Sequence, residues 1–180
     1  MRGSAVVAWL LVLLVGSAGS YCLARVCLRR GAPVTERQAD ASEAVMGLGM
    51  AVMALPHGWG MRLPAPLWLT VFGAAAAWSL WCAVRHRGAR GHHGYHAAGH
   101  AAMLYMAVAM AASPHDGMPG MTAGAPAVTG PLLLFFCAAA LRFGLRLSPA
   151  AGPDTSPTAL LPHACRVIMA LGMSAMLVTL

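Results

Sequence analysis

Arg166-Val-Ile-Met169-Ala-Leu-Gly-Met173-Ser-Ala-Met176 aligns without a gap on Glu43-Ala-Val-Met46-Gly-Leu-Gly-Met50-Ala-Val-Met53. Each stretch opens on a charged residue and places methionine three, seven and ten positions later. Steps of three, four and three stay on one face of an α-helix. A third stretch follows more loosely, from His100-Ala-Ala-Met103 through Ala107 to Met110, with Met106 added. The surrounding runs are long, rich in Ala, Leu, Met and Gly, and free of period-two alternation, so they predict helices rather than strands.

Working outward, the chain divides into six apolar runs at about 5–28, 38–55, 65–84, 95–112, 130–147 and 160–180. Each is near the roughly 20 residues that a membrane span needs. The second is the weakest, because Asp40 and Glu43 lie in its first turns. The expected fold is all-α: one transmembrane domain over residues 1–180, a polytopic bundle of six spans. Its even-numbered helices run parallel and carry the methionine-rich repeat. Three helical hairpins are the economical reading of that repeat.

Composition agrees. Hydrophobic residues make up 59% of the 180 and charged residues 9%, with mean hydropathy +0.67. Soluble domains carry about 25% charged residues, so an ordinary soluble surface is excluded, and so is disorder. The net charge of +7 comes from arginine, with no lysine. These arginines sit between apolar runs and so set orientation in a membrane rather than bind nucleic acid. Arg25, Arg29, Arg30 and Arg37 separate the first two runs, Arg85, Arg87 and Arg90 the third and fourth, and Arg142 and Arg146 end the fifth. The alternate loops hold Arg62 alone, and Arg2 precedes the first run. The positive-inside rule then puts both termini outside a bacterial plasma membrane. The first run resembles a signal peptide, but it continues to Leu28, with Arg25, Arg29 and Arg30 at its end, and reads as an uncleaved helix. The five cysteines form no CxxC or zinc spacing and read as small hydrophobes, with no disulfide assigned. No GxSxG, HExxH or P-loop motif is present, so an enzyme is not expected.

Thirteen methionines admit two readings. Methionine is a flexible packing residue, and stacked thioethers are ligands for a soft metal, Cu(I) above all. Glu43, His100 and Arg166 share the cytoplasmic end of the stripe. Charges there are costly unless paired, so Glu43 and Arg166 are expected to form an ion pair with His100 nearby. His92, His96 and His100 are four apart and share a face leading to Met103, a workable arrangement for a metal or haem. His163 lies close enough to the last helix to join them, whereas His86, among arginines, reads as a headgroup contact. On the outer side, His57 and Met61 follow the second run, and His115, Met118 and Met121 follow the fourth. Together these sketch a path: His57, His115, Met118 and Met121, then Met53, Met110 and Met176, then Met50 and Met173. It continues through Met46, Met103 and Met169 to His100 and His96.

The stretch from Met46 to Pro56, the stretch His92–Met110 and the block His163-Ala-Cys165-Arg166 with its three methionines resemble a known family. It is an actinobacterial family of small multi-pass membrane proteins catalogued as a domain of unknown function. The resemblance implies an integral membrane protein and carries no catalytic residues with it. The expected function is soft-metal handling, copper binding or permeation, with lipid and the metal ion as partners. The alternatives are a haem or electron-transfer subunit, with His96 or His100 as axial ligand, and an accessory protein in which methionine only packs. The orientation is testable directly: alkaline phosphatase fused after Leu180 should be active in intact cells and, fused after Arg87, inactive. The reverse pattern would overturn it.

Overall fold

The computed structural model describes residues 2–56, 63–85, 90–112, 124–147 and 157–179. Among them are six helices: α1 (Arg2–Leu28), α2 (Val34–Met53), α3 (Ala65–Arg85), α4 (Arg90–Ala112), α5 (Pro126–Leu145) and α6 (Pro157–Val178). Their number and order follow the apolar runs, while several ends differ. α2 starts at Val34 rather than near Gln38, because Pro33 at its N-cap, with φ −52° and ψ 143°, launches a polar first turn that hydropathy does not register. It ends at Met53, where Ala54 N–H bonds back to Met50 O at 2.9 Å and Pro56 follows. α4 begins at Arg90, so the histidine-rich segment before Tyr95 is helical too. Prolines at the first helical position start α5 at Pro126 and α6 at Pro157, earlier than the apolar runs do. α5 stops at Leu145 and α6 at Val178, each two residues short of its run.

Sequence neighbours pair as hairpins, α1 with α2, α3 with α4 and α5 with α6, and α2 also packs on α4 and α6. The α1–α2 pairing is a ladder. Gly16 lies against Ala51, Gly19 against Gly47, Cys22 against Glu43 and Arg25 against Asp40. Numbers rise on one helix as they fall on the other, so the two are antiparallel. At the crossing a Cβ on Gly47 would sit 2.9 Å from Gly19 Cα, so only glycine allows the backbones this close. Between even-numbered helices the numbers rise together. Glu43, Met46 and Gly49 of α2 meet His96, Gly99 and Met103 of α4, and Glu43 and Met50 meet Arg166 and Gly172 of α6. These three helices are therefore parallel.

The odd-numbered helices turn apolar side chains outward. Leu10, Leu13 and Leu14 of α1, Trp78, Leu80 and Trp81 of α3, and Leu134, Leu141 and Leu145 of α5 are exposed. Within the bundle lie Asp40, Glu43, His93, His96 and His100. Polar inside and apolar outside is the arrangement that lipid selects. Four helices are long and apolar enough to cross a membrane: Ala5–Leu28, α3, α5 and Leu160–Val178. The other two, α2 and α4, carry the buried ionisable residues. Gly47→Ala should force α1 and α2 apart and destabilise the solubilised protein by about 1–3 kcal/mol. Gly73→Ala, with open space at its Cβ, should be neutral or better. Thermal melts of the two variants in detergent check this.

Candidate functional site

Methionines of the three parallel helices form the interior. Met46, Met50, Met103, Met106, Met169 and Met173 have no exposed surface, Met53 and Met176 are buried, and Met110 is half-buried. Glycine makes room for Met46, while Gly49 and Gly172 make room chiefly for Phe72 and Val15 and touch methionine as well. Met46 Sδ rests against Gly99 of α4, Met50 Sδ lies 3.7 Å from the Cβ position of Gly172 on α6, and Met103 Cε lies 3.4 Å from that of Gly49 on α2. The sulfur-bearing faces thus point into one shared core.

At one end of this core stands Glu43, 1% exposed. Arg166 Nε donates to its Oε1 at 2.7 Å, and Cys22 Sγ donates to its Oε2 at 3.4 Å. His96 Nε2 is 3.8 Å from Oε1, beyond hydrogen-bond length. Cys22 also interacts with the thiol of Cys165, the residue before Arg166. Four helices therefore meet at one carboxylate. The histidine at this ion pair is His96; His100, one turn further along α4, packs instead against the ring of Phe72 at 6.4 Å. Both ring nitrogens of His96 and of His100 lack a hydrogen-bond partner among the described residues. An unsatisfied buried polar group costs about 1–3 kcal/mol, so two bare imidazoles beside the methionines are an expensive feature of the core.

His92 lies edge-on to His96, ring centroids 4.7 Å apart. It precedes the apolar stretch, in the first turns of α4, and is half-buried. His163 joins His92 and Arg166 in lining a cavity of about 530 Å³ at this end of the bundle. His57, Met61, His115, Met118 and Met121, with His86, lie outside the described residues. Among the described residues no three His, Cys, Asp or Glu side chains converge to hold a metal ion.

The sequence reading missed the two thiols. Cys165 was within reach of the same logic, since it lies four residues before Met169 and continues that face. Cys22 was not, because α1 carries no methionine repeat to place it. Residues 35–180 match the family model described as Domain of unknown function (DUF5134), and the chain belongs to that family. The match covers α2, from its second residue, to α6 and leaves out the whole of α1, the helix that supplies Cys22. No curated protein and no solved structure matches the chain.

Breaking the buried pair from one side should be costly. Arg166→Ala leaves Glu43 without its cation and should destabilise by about 3–5 kcal/mol. Glu43→Gln combined with Arg166→Met removes both charges and should recover most of that loss. Melting temperatures of the single and double variants in detergent measure the difference.

Proposed function

We propose that this DUF5134 protein is a six-span plasma-membrane protein that binds and passes a soft metal ion, copper(I), through its methionine- and histidine-lined interior. One observation carries the reading: among the described residues, His96 and His100 hold imidazole nitrogens with no hydrogen-bond partner in a core that also holds eight buried methionines. Thioether and neutral imidazole are the donors that Cu(I) accepts. Both are uncharged, so neither has to lose a proton inside the membrane to bind. A moving ion needs several weak sites rather than one tight cage, and stacked methionines supply them.

On this reading α2 and α4 span the membrane as well. Their acidic and imidazole groups tolerate that position because α1, α3 and α6 shield them. Both termini face outward. The copper path joins His57, His115, Met118 and Met121 to Met53, Met110 and Met176, then to Met50 and Met173. It continues along Met46, Met103 and Met169 to His100 and His96. The repeat serves by placing sulfur at matching depths on three parallel helices. No covalent chemistry is involved, and the protein acts as a carrier rather than an enzyme. The haem alternative has less in its favour, since the Phe72 ring already lies against His100.

Elemental analysis after anaerobic Cu(I) loading tests the proposal. The wild-type protein should retain copper, and the Met50→Leu, Met110→Leu, Met173→Leu triple variant should retain less than about half as much. Leucine is close to methionine in volume, so folding should be preserved within about 1.5 kcal/mol per site. Equal copper in the two proteins would reduce the methionines to packing, and a Soret band in the purified protein would favour haem.

A further inference from the structure

The cavity beside Arg166 has no part in the metal path. It lies among α4, α5 and α6 and is polar at one end and apolar at the other. Arg142, Arg146 and His163 supply the polar end, and no carboxylate lines it among the described residues. Arg166 also reaches the cavity, but its charge is already answered by Glu43 at 2.7 Å. Arg142 and Arg146 are exposed at the end of α5 and supply the charge that is left. The deeper wall is aromatic: Tyr95 packs against Phe143 at 5.2 Å and Phe135 at 6.3 Å. From Arg146 to Phe135 the lining follows α5 for about 16 Å at 1.5 Å per residue.

Two further facts point to an occupant. Tyr95 is 5% exposed, yet its hydroxyl has no hydrogen-bond partner among the described residues, and it lines the cavity. Phe135 is 41% exposed on the outer face of α5, so the apolar wall continues onto the lipid-facing side of the bundle. A volume of about 530 Å³ lies within the range of small-molecule sites.

We infer that this cavity binds a phosphate-bearing amphiphile, an anionic phospholipid. Its headgroup lies on Arg142 and Arg146, an ester oxygen accepts from the Tyr95 hydroxyl, and an acyl chain runs along Phe143 and Phe135. Guanidinium groups bind phosphate oxygens through paired N–H donors. Basic pockets between membrane helices are suited to anionic headgroups. The apolar wall distinguishes a lipid from a free phosphate ion, which would use the arginines and leave the aromatic surface unused. This site is independent of the copper reading.

The test is a thermal-shift titration of the detergent-purified full chain with phosphatidylglycerol, phosphatidylcholine or inorganic phosphate. Phosphatidylglycerol should stabilise saturably, and phosphatidylcholine should not. In the Arg142→Gln, Arg146→Gln variant the apparent affinity for phosphatidylglycerol should fall about twentyfold. Both side chains are exposed, so the fold should persist. Ala138→Trp, on the exposed face of the same stretch of α5, should weaken phosphatidylglycerol while leaving any phosphate response unchanged. Equal responses to the two lipids would overturn the proposal, as would an unaltered affinity in the arginine variant. An arginine-dependent shift given equally by inorganic phosphate would make the ligand a free anion and overturn the lipid assignment.

Discussion

A carboxylate inside a hydrophobic bundle has to be answered, and four helices meet at the buried carboxylate of Glu43. Arg166 comes to it from α6, Cys22 from α1 and His96 from α4. Moving α6 or α1 by one turn would take Arg166 or Cys22 from the carboxylate and leave a charge or a polar group in an apolar interior, at a cost of several kcal/mol for the charge. Apolar contacts alone would not be so selective, since one leucine surface packs on another at many offsets. The pair therefore does for depth what methionine, being adaptable, does not.

From that point the rest of the interior follows. On the α1 side the ladder continues with Arg25 on Asp40, 3.3 Å apart, and in the other direction with the close approach of Gly19 and Gly47. On the α4 and α6 sides each step away from Glu43 brings a methionine against a glycine: Met46 on Gly99, Met103 on Gly49, Met50 on Gly172. The tightest of these is Met46 on Gly99, while Gly49 and Gly172 also admit Phe72 of α3 and Val15 of α1. The outer helices have a different task. α3 contributes the stacked pair Trp68 and Phe72, whose rings lie 5.6 Å apart and which covers His100. α5 contributes the aromatic wall around Tyr95. α3 presents leucine and tryptophan to the outside, and α5 presents leucine and phenylalanine.

The division between central and peripheral helices also explains their compositions. α2 holds three of the five acidic residues and α4 four of the eight histidines, and α2 touches α1, α4 and α6. A helix enclosed by others does not need to be apolar all round. Those facing lipid do, and α1, α3 and α5 meet that need. The same contrast made the second run hard to read in isolation: Asp40 and Glu43 lowered its apolarity, yet both are buried against partners from neighbouring helices.

The sequence by itself determined the helical class, six helices in order, and which methionines share a face. These properties depend on local periodicity and on the length of apolar runs, and both are properties of a single segment. It also singled out Glu43 and Arg166, because two opposite charges at equivalent places in a repeat have few other uses in lipid. Tertiary structure alone decided that His96 rather than His100 stands at that pair, that Cys22 and Cys165 meet beside it, and that Arg142, Arg146 and Tyr95 enclose a cavity. Each of these joins helices that lie far apart along the chain. Periodicity assigns a residue to a face of its own helix, but rotation and depth relative to a neighbour are set only when the helices pack.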